Sequence, residues 1–64
     1  MDLTLETALI HLLQGDKIAW DGWNYNEFIH VNSKGKLVDE KGQNFNAFDL
    51  VYCKDNDDSF LIVE

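Results

Sequence analysis

At 64 residues with one cysteine, the chain is expected to form a single small domain, residues 1–64, without an internal disulfide. A domain of this size buries only about 60% of the surface its unfolded chain exposes. Twelve Asp and Glu against five Lys and no Arg give a formal charge of −7, which disfavours nucleic-acid backbones and anionic membranes as partners.

No Cys/His cluster stands at metal-ligand spacing, so neither metal nor cofactor is expected, and self-association is the remaining staple for so small a core. A homo-oligomer follows as the expectation. No basic segment leads into an apolar run of signal-peptide type and no apolar run is long enough to span a bilayer, so the expected location is cytoplasmic. The acids are scattered except in Asp55-Asn56-Asp57-Asp58, expected as an exposed turn between strands. Such charge either keeps the chain soluble or imitates a polyanion toward a basic protein.

Thr4 is placed as an N-cap with Glu6 in the first turn, and Leu5, Ala8, Leu9, Leu12 and Leu13 recur at helical spacing before Gly15 ends the helix. Ile10 and His11 lie off that stripe, and His11 has no carboxylate at helical spacing, which makes it a surface residue. Lys17 to Trp20 predicts a short strand, Asp21-Gly22 a turn, and Glu27 to Val31 a strand with Phe28 and His30 facing opposite Ile29 and Val31. Asn32-Ser33-Lys34-Gly35 and Glu40-Lys41-Gly42 read as turns flanking a return strand at Lys36 to Val38. Asn46 to Val51 admits a capped helical turn or the start of a strand through Cys53, whereas Phe60 to Val63 is an apolar strand. The class is α+β, with one N-terminal amphipathic helix on an antiparallel sheet of about four strands. A single short helix cannot cover every aromatic, so uncovered surface is expected to form a subunit interface or a cleft beside one.

Chemistry concentrates in Trp20-Asp21-Gly22-Trp23-Asn24-Tyr25-Asn26. Flat rings and paired amide donors and acceptors suit a planar polar ligand or a partner surface. Trp20, Trp23, Asn24 and Tyr25 are the candidate contacts, with core packing as the plain alternative for both tryptophans and turn capping for the asparagines. Signals for catalysis are weak. Ser33 and Ser59 lack an elbow-like context, the paired carboxylates Asp39-Glu40 and Asp57-Asp58 fall in solvated turns, and the glycines build no phosphate loop. Cys53, beside Tyr52 in a strand-like run, reads as a buried small hydrophobe rather than a nucleophile.

The threonine-capped helix, Gly15-Asp16-Lys17-Ile18-Ala19, the Gly22-Trp23-Asn24 step, Gly35-Lys36-Leu37-Val38, the late Asp49-Leu50 step and an acidic turn before the last strand follow one another over nearly the whole chain. In that order they resemble the small phage-encoded family containing the second Thoeris anti-defence protein. The resemblance implies a non-enzymatic oligomer that sequesters a cyclic ADP-ribose-like or other cyclic nucleotide messenger. It implies that Trp23 stacks on a base or walls the cleft, that Asn24 bonds a base edge or ribose, and that Asp49 fills the late acidic position. Tyr25 and Trp20 are added to that site for their own chemistry. Where the family closes on an acidic-acidic-Trp step, this chain has Asp57-Asp58-Ser59-Phe60. The rival expectation is an acidic DNA mimic that inhibits a basic host protein, of anti-CRISPR or anti-restriction type, through Asp39, Glu40, Asp55, Asp57 and Asp58; a minor phage structural subunit is a third.

Overall fold

A computed structural model describes residues 2–64. The order is α1 (Leu5–Leu13), β1 (Lys17–Trp20), β2 (Ile29–Val31), β3 (Leu37–Asp39), α2 (Phe48–Asn56) and β4 (Phe60–Val63). The strands form one antiparallel sheet in the order β3-β2-β1-β4. This is the expected α+β arrangement, with a second helix added between the meander and the last strand.

α1 forms where its ends are satisfied. Thr4 Oγ1 accepts the Thr7 N–H at 3.3 Å, and the Asp58 carboxylate accepts the Leu5 N–H at 2.7 Å from across the fold, which supplies an anion at the positive end of the helix. At the other end the Gly15 N–H bonds the Leu12 carbonyl and the Asp16 N–H bonds the His11 carbonyl, with Gly15 at φ +93°. That is the Schellman closure, which needs a left-handed residue at this point. His11 and Asp16 occupy the two positions whose side chains meet in this motif, usually as apolar partners. Here the imidazole Nδ1 lies 2.9 Å from the Asp16 carboxylate. His11 is therefore half-buried and partnered, because the helix end folds back five residues on, beyond the reach of helical spacing.

Leu5, Ala8 and Leu12 enter the core with Ile18, Ile29 and Phe60. Leu9 and Leu13, expected on the same stripe, remain exposed, as does Ile10. The sheet contact takes a narrow row of the helix, and the residues on one flank of that row overhang solvent. α2 resolves the ambiguous segment as helix. Asn46 Oδ1 accepts the Phe48 N–H at 3.0 Å, an Asx-type start, and Leu50 and Cys53, one turn apart, join the same core as α1. Cys53 is thus buried on a helix rather than a strand. The acidic run correspondingly ends α2 with Asp55 and Asn56 and leads toward β4 with Asp57 and Asp58, instead of joining two strands.

Two turns of the same design bracket β3. Asn32 Oδ1 accepts the N–H groups of Lys34 and Lys36, and Asp39 Oδ1 accepts those of Lys41 and Gln43, at 2.9 and 3.0 Å in each case. Gly35 and Gly42 take the positive φ that each reversal demands. Both outer strands are partly covered, since Val38 bridges Asn44 beyond β3 and Leu3 bridges Phe60 beyond β4, which limits strand addition at the edges.

Candidate functional site

Alternation along the strands separates two faces. Ile18, Ile29 and Phe60 point at the helices. Lys17, Ala19, Phe28, His30, Val38, Leu61 and Val63 fall on the other face, where the registers Ala19↔Leu61 and His30↔Val38 pair them. Both helices pack on the first face, so among the described residues the second carries no helical layer. Phe28 is central there, with the Lys17 ammonium 5.1 Å from its ring and His30 at 5.9 Å.

The β1–β2 connection, residues 21–28, carries the aromatic and amide cluster and is held in place by Trp20. The Trp20 indole N–H donates to the Asp57 carbonyl at 2.6 Å. Its ring lies directly over Gly22, so that a Cβ at position 22 would fall less than 3.0 Å from three ring atoms. Gly22 is required here for space, since it is absent from the positive-φ glycines. Trp23 meets Trp20 edge-on at 6.5 Å and Phe45 edge-on at 5.5 Å. Trp20, Trp23 and Phe45 are all partly buried against the core. The Glu27 carboxylate accepts the Asn24 N–H at 3.1 Å and closes the loop on itself. Tyr25 at the loop tip is fully exposed.

A cavity opens on each side of this loop. The first, about 770 Å³, lies between the loop and the Asp39–Gly42 turn and is walled by Trp23, Tyr25 and Phe45 with Glu27, Asp39, Glu40 and Lys41. The second, about 700 Å³, runs from the loop onto the open sheet face, with Ala19, Leu61 and Val63 as its floor. Trp20, Trp23, Asn24 and Tyr25 all line the second, so four of the five expected contacts are brought together. Asp49 is not among them: it lies exposed in the first turn of α2 and lines neither cavity. Asn26, at the end of the expected cluster, lines both cavities, and Phe28 and Leu61 are cavity residues that the sequence did not mark as contacts. Strand alternation was the available signal: the sequence sets Phe28 opposite Ile29 and Val31, and the same alternation applied to Phe60 to Val63 sets Leu61 opposite Phe60.

Cys53 sits behind this wall. Burial pushes its thiol above the ordinary cysteine range, a hydrogen bond with Trp23 offsets part of that, and the Asp49 charge adds to it. A thiol held protonated in this way is a packing residue and a poor nucleophile. Among the described residues no group of three or more His, Cys, Asp or Glu is placed to hold a metal ion, and no helix is long and apolar enough to cross a membrane.

Charge is unevenly placed. The registers set the end of β1, the start of β2, the end of β3 and the start of β4 at one end of the sheet, with Asp21, Glu27, Asp39, Glu40, Asp57 and Asp58 around them. Lys17, Lys34 and Lys36 lie toward the opposite end, at the start of β1 and in the β2–β3 turn. The aromatic loop thus stands at an acidic pole. No protein-family model, curated protein or solved structure matches this chain.

Proposed function

We propose that this protein is a non-catalytic phage counter-defence factor that captures a cyclic nucleotide immune messenger, of cyclic ADP-ribose type, and assembles as a homo-oligomer. The observation that carries the reading is the second cavity, where Trp20, Trp23, Asn24 and Tyr25 line one space beside an uncovered apolar sheet face. Rings offer stacking area for a base, and amides offer both donors and acceptors for its edge. The Lys17 ammonium lies over the ring of Phe28, which lines this cavity, and with no arginine in the chain the phosphates fall to lysines and backbone N–H groups. The Gly-Trp-Asn signature and the order of elements that resemble the Thoeris anti-defence family give the reading its ligand class. Asp49 is retained from that resemblance as the late acidic position, outside the cavity. The proposed compartment is the host cytosol.

Titration calorimetry with a panel of cyclic nucleotides tests the reading. A saturable heat with recovery of the intact ligand after boiling is the expected result, and Tyr25→Ala, at a fully exposed position, should weaken binding about tenfold without unfolding the chain. Absence of heat across the panel, or return of a cleaved product, would refute it.

The acidic pole favours a second reading, an inhibitor that presents a carboxylate surface to a basic host protein. Of the acids expected to serve it, Asp58 is committed to capping α1 and Asp39 to its own turn through one oxygen. Glu40, Asp55 and Asp57 remain exposed or half-exposed. Its mark is binding that falls steeply with added salt.

A further inference from the structure

We propose that the first cavity, between the aromatic loop and the Asp39–Gly42 turn, receives an arginine side chain of a partner polypeptide. The proposal builds on the second reading above and specifies what that basic partner must present.

Three half-buried carboxylates line the cavity, and their hydrogen bonds leave acceptor capacity free. Glu27 uses Oε1 on the Asn24 N–H, Asp39 uses Oδ1 on the Lys41 and Gln43 N–H groups, and Glu40 accepts no hydrogen bond among the described residues. The Glu27 and Asp39 carboxylates are therefore fixed in direction by backbone donors while an oxygen of each stays available. Lys41 is the single cation in the lining, and among the described residues no lysine forms an ion pair. The cavity accordingly holds a net charge of −2 from three acids and one lysine. Phosphate is repelled from such a site, and a cation is drawn in.

The walls decide which cation. Trp23 is braced edge-on by Phe45 at 5.5 Å, and Tyr25 projects freely from the loop tip. A guanidinium is flat, stacks on ring faces and presents several N–H donors to carboxylates at once, whereas an ammonium is a compact and strongly hydrated charge. Aromatic surface combined with fixed carboxylates therefore favours arginine over lysine. Asp21 and Asp57 outside the cavity extend the negative field, which steers a basic polypeptide toward this end of the molecule.

¹⁵N-labelled protein of residues 1–64 titrated with tri-arginine, tri-lysine and tri-citrulline peptides tests this, citrulline being the neutral counterpart of arginine. Saturable shifts in residues 23–28 and 39–43 are expected with tri-arginine, with tri-citrulline binding at least about tenfold more weakly and tri-lysine about threefold more weakly. Glu40→Gln and Tyr25→Ala should each lower tri-arginine affinity about threefold or more, and both positions tolerate substitution because neither side chain holds the fold. Equal affinity for tri-arginine and tri-lysine, lost together in salt, would overturn the arginine cavity while leaving the acidic-inhibitor reading standing. Equal binding of tri-citrulline, or no saturable shift with any peptide, would overturn both.

Discussion

Replacing Gly22 by alanine should destabilise the protein only because Trp20 lies over it. The added methyl would fall within 3.0 Å of three ring atoms, so the indole must move. Moving it sacrifices the 2.6 Å bond to the Asp57 carbonyl and the edge contact with Trp23. The bond is worth about 1 kcal/mol net and the aromatic pair about 1 kcal/mol. The alanine returns about 0.5 kcal/mol by restricting the unfolded chain, since the backbone at residue 22 does not need positive φ. The net expected loss is about 1.5 kcal/mol, a large share of the roughly 3–10 kcal/mol available to a chain of this length. Urea unfolding followed by far-ultraviolet circular dichroism measures it, and a double-mutant cycle isolates the cause. In a Trp20→Ala background the same substitution should become neutral or slightly stabilising, giving a coupling of about 2 kcal/mol. An equal loss in both backgrounds would refute the steric account.

Three further outcomes follow from the packing. Asp58→Ala removes the acceptor of the Leu5 N–H and should cost about 1 kcal/mol in urea, with Asp58→Asn recovering most of it, as a helix-cap contact does. Phe60→Ala, at a fully buried position in the sheet core, should cost about 3–5 kcal/mol and leave the chain largely unfolded by circular dichroism. Because burial raises the Cys53 pKa, the unfolded chain loses the thiol proton first. That contribution to stability is full below the ordinary cysteine range and is lost as the pH rises from there through the raised value. Native protein should accordingly react slowly with a thiol reagent at neutral pH and rapidly in urea, and a native rate equal to the unfolded one would contradict its burial.

Much of this architecture was legible in local chemistry. Thr4, Gly15 and the two Asx-Lys-Gly turns act within a few residues of themselves, so reading their neighbours is enough to place α1 and the meander. β1 and β4 likewise keep the bounds expected of them, because short apolar runs between turn signals have little choice. α2 was ambiguous for a physical reason: Val51, Tyr52 and Cys53 suit a strand by composition, and only the inward pairing of Leu50 with Cys53 against a tertiary surface selects the helix. Leu9 and Leu13 show the converse, since helical spacing marks an apolar stripe without saying how much of it a small sheet can cover. For the site, the aromatic cluster was visible as composition, and the partial burial of both tryptophans matches their plain packing role. Their hierarchy was not legible, because Trp20 is fixed by the Asp57 carbonyl, 37 residues away, and no local pattern reports so distant an acceptor.

That remote mooring has a bearing on biosynthesis. The strand that floors the second hollow and the carbonyl that tethers the indole both belong to the stretch from Asp57 to Val63, which a ribosome makes after α1, β1, β2, β3 and α2. A chain released before that stretch is made therefore lacks both the tether of the indole and part of the cavity floor, and only molecules translated through it can form the second cavity.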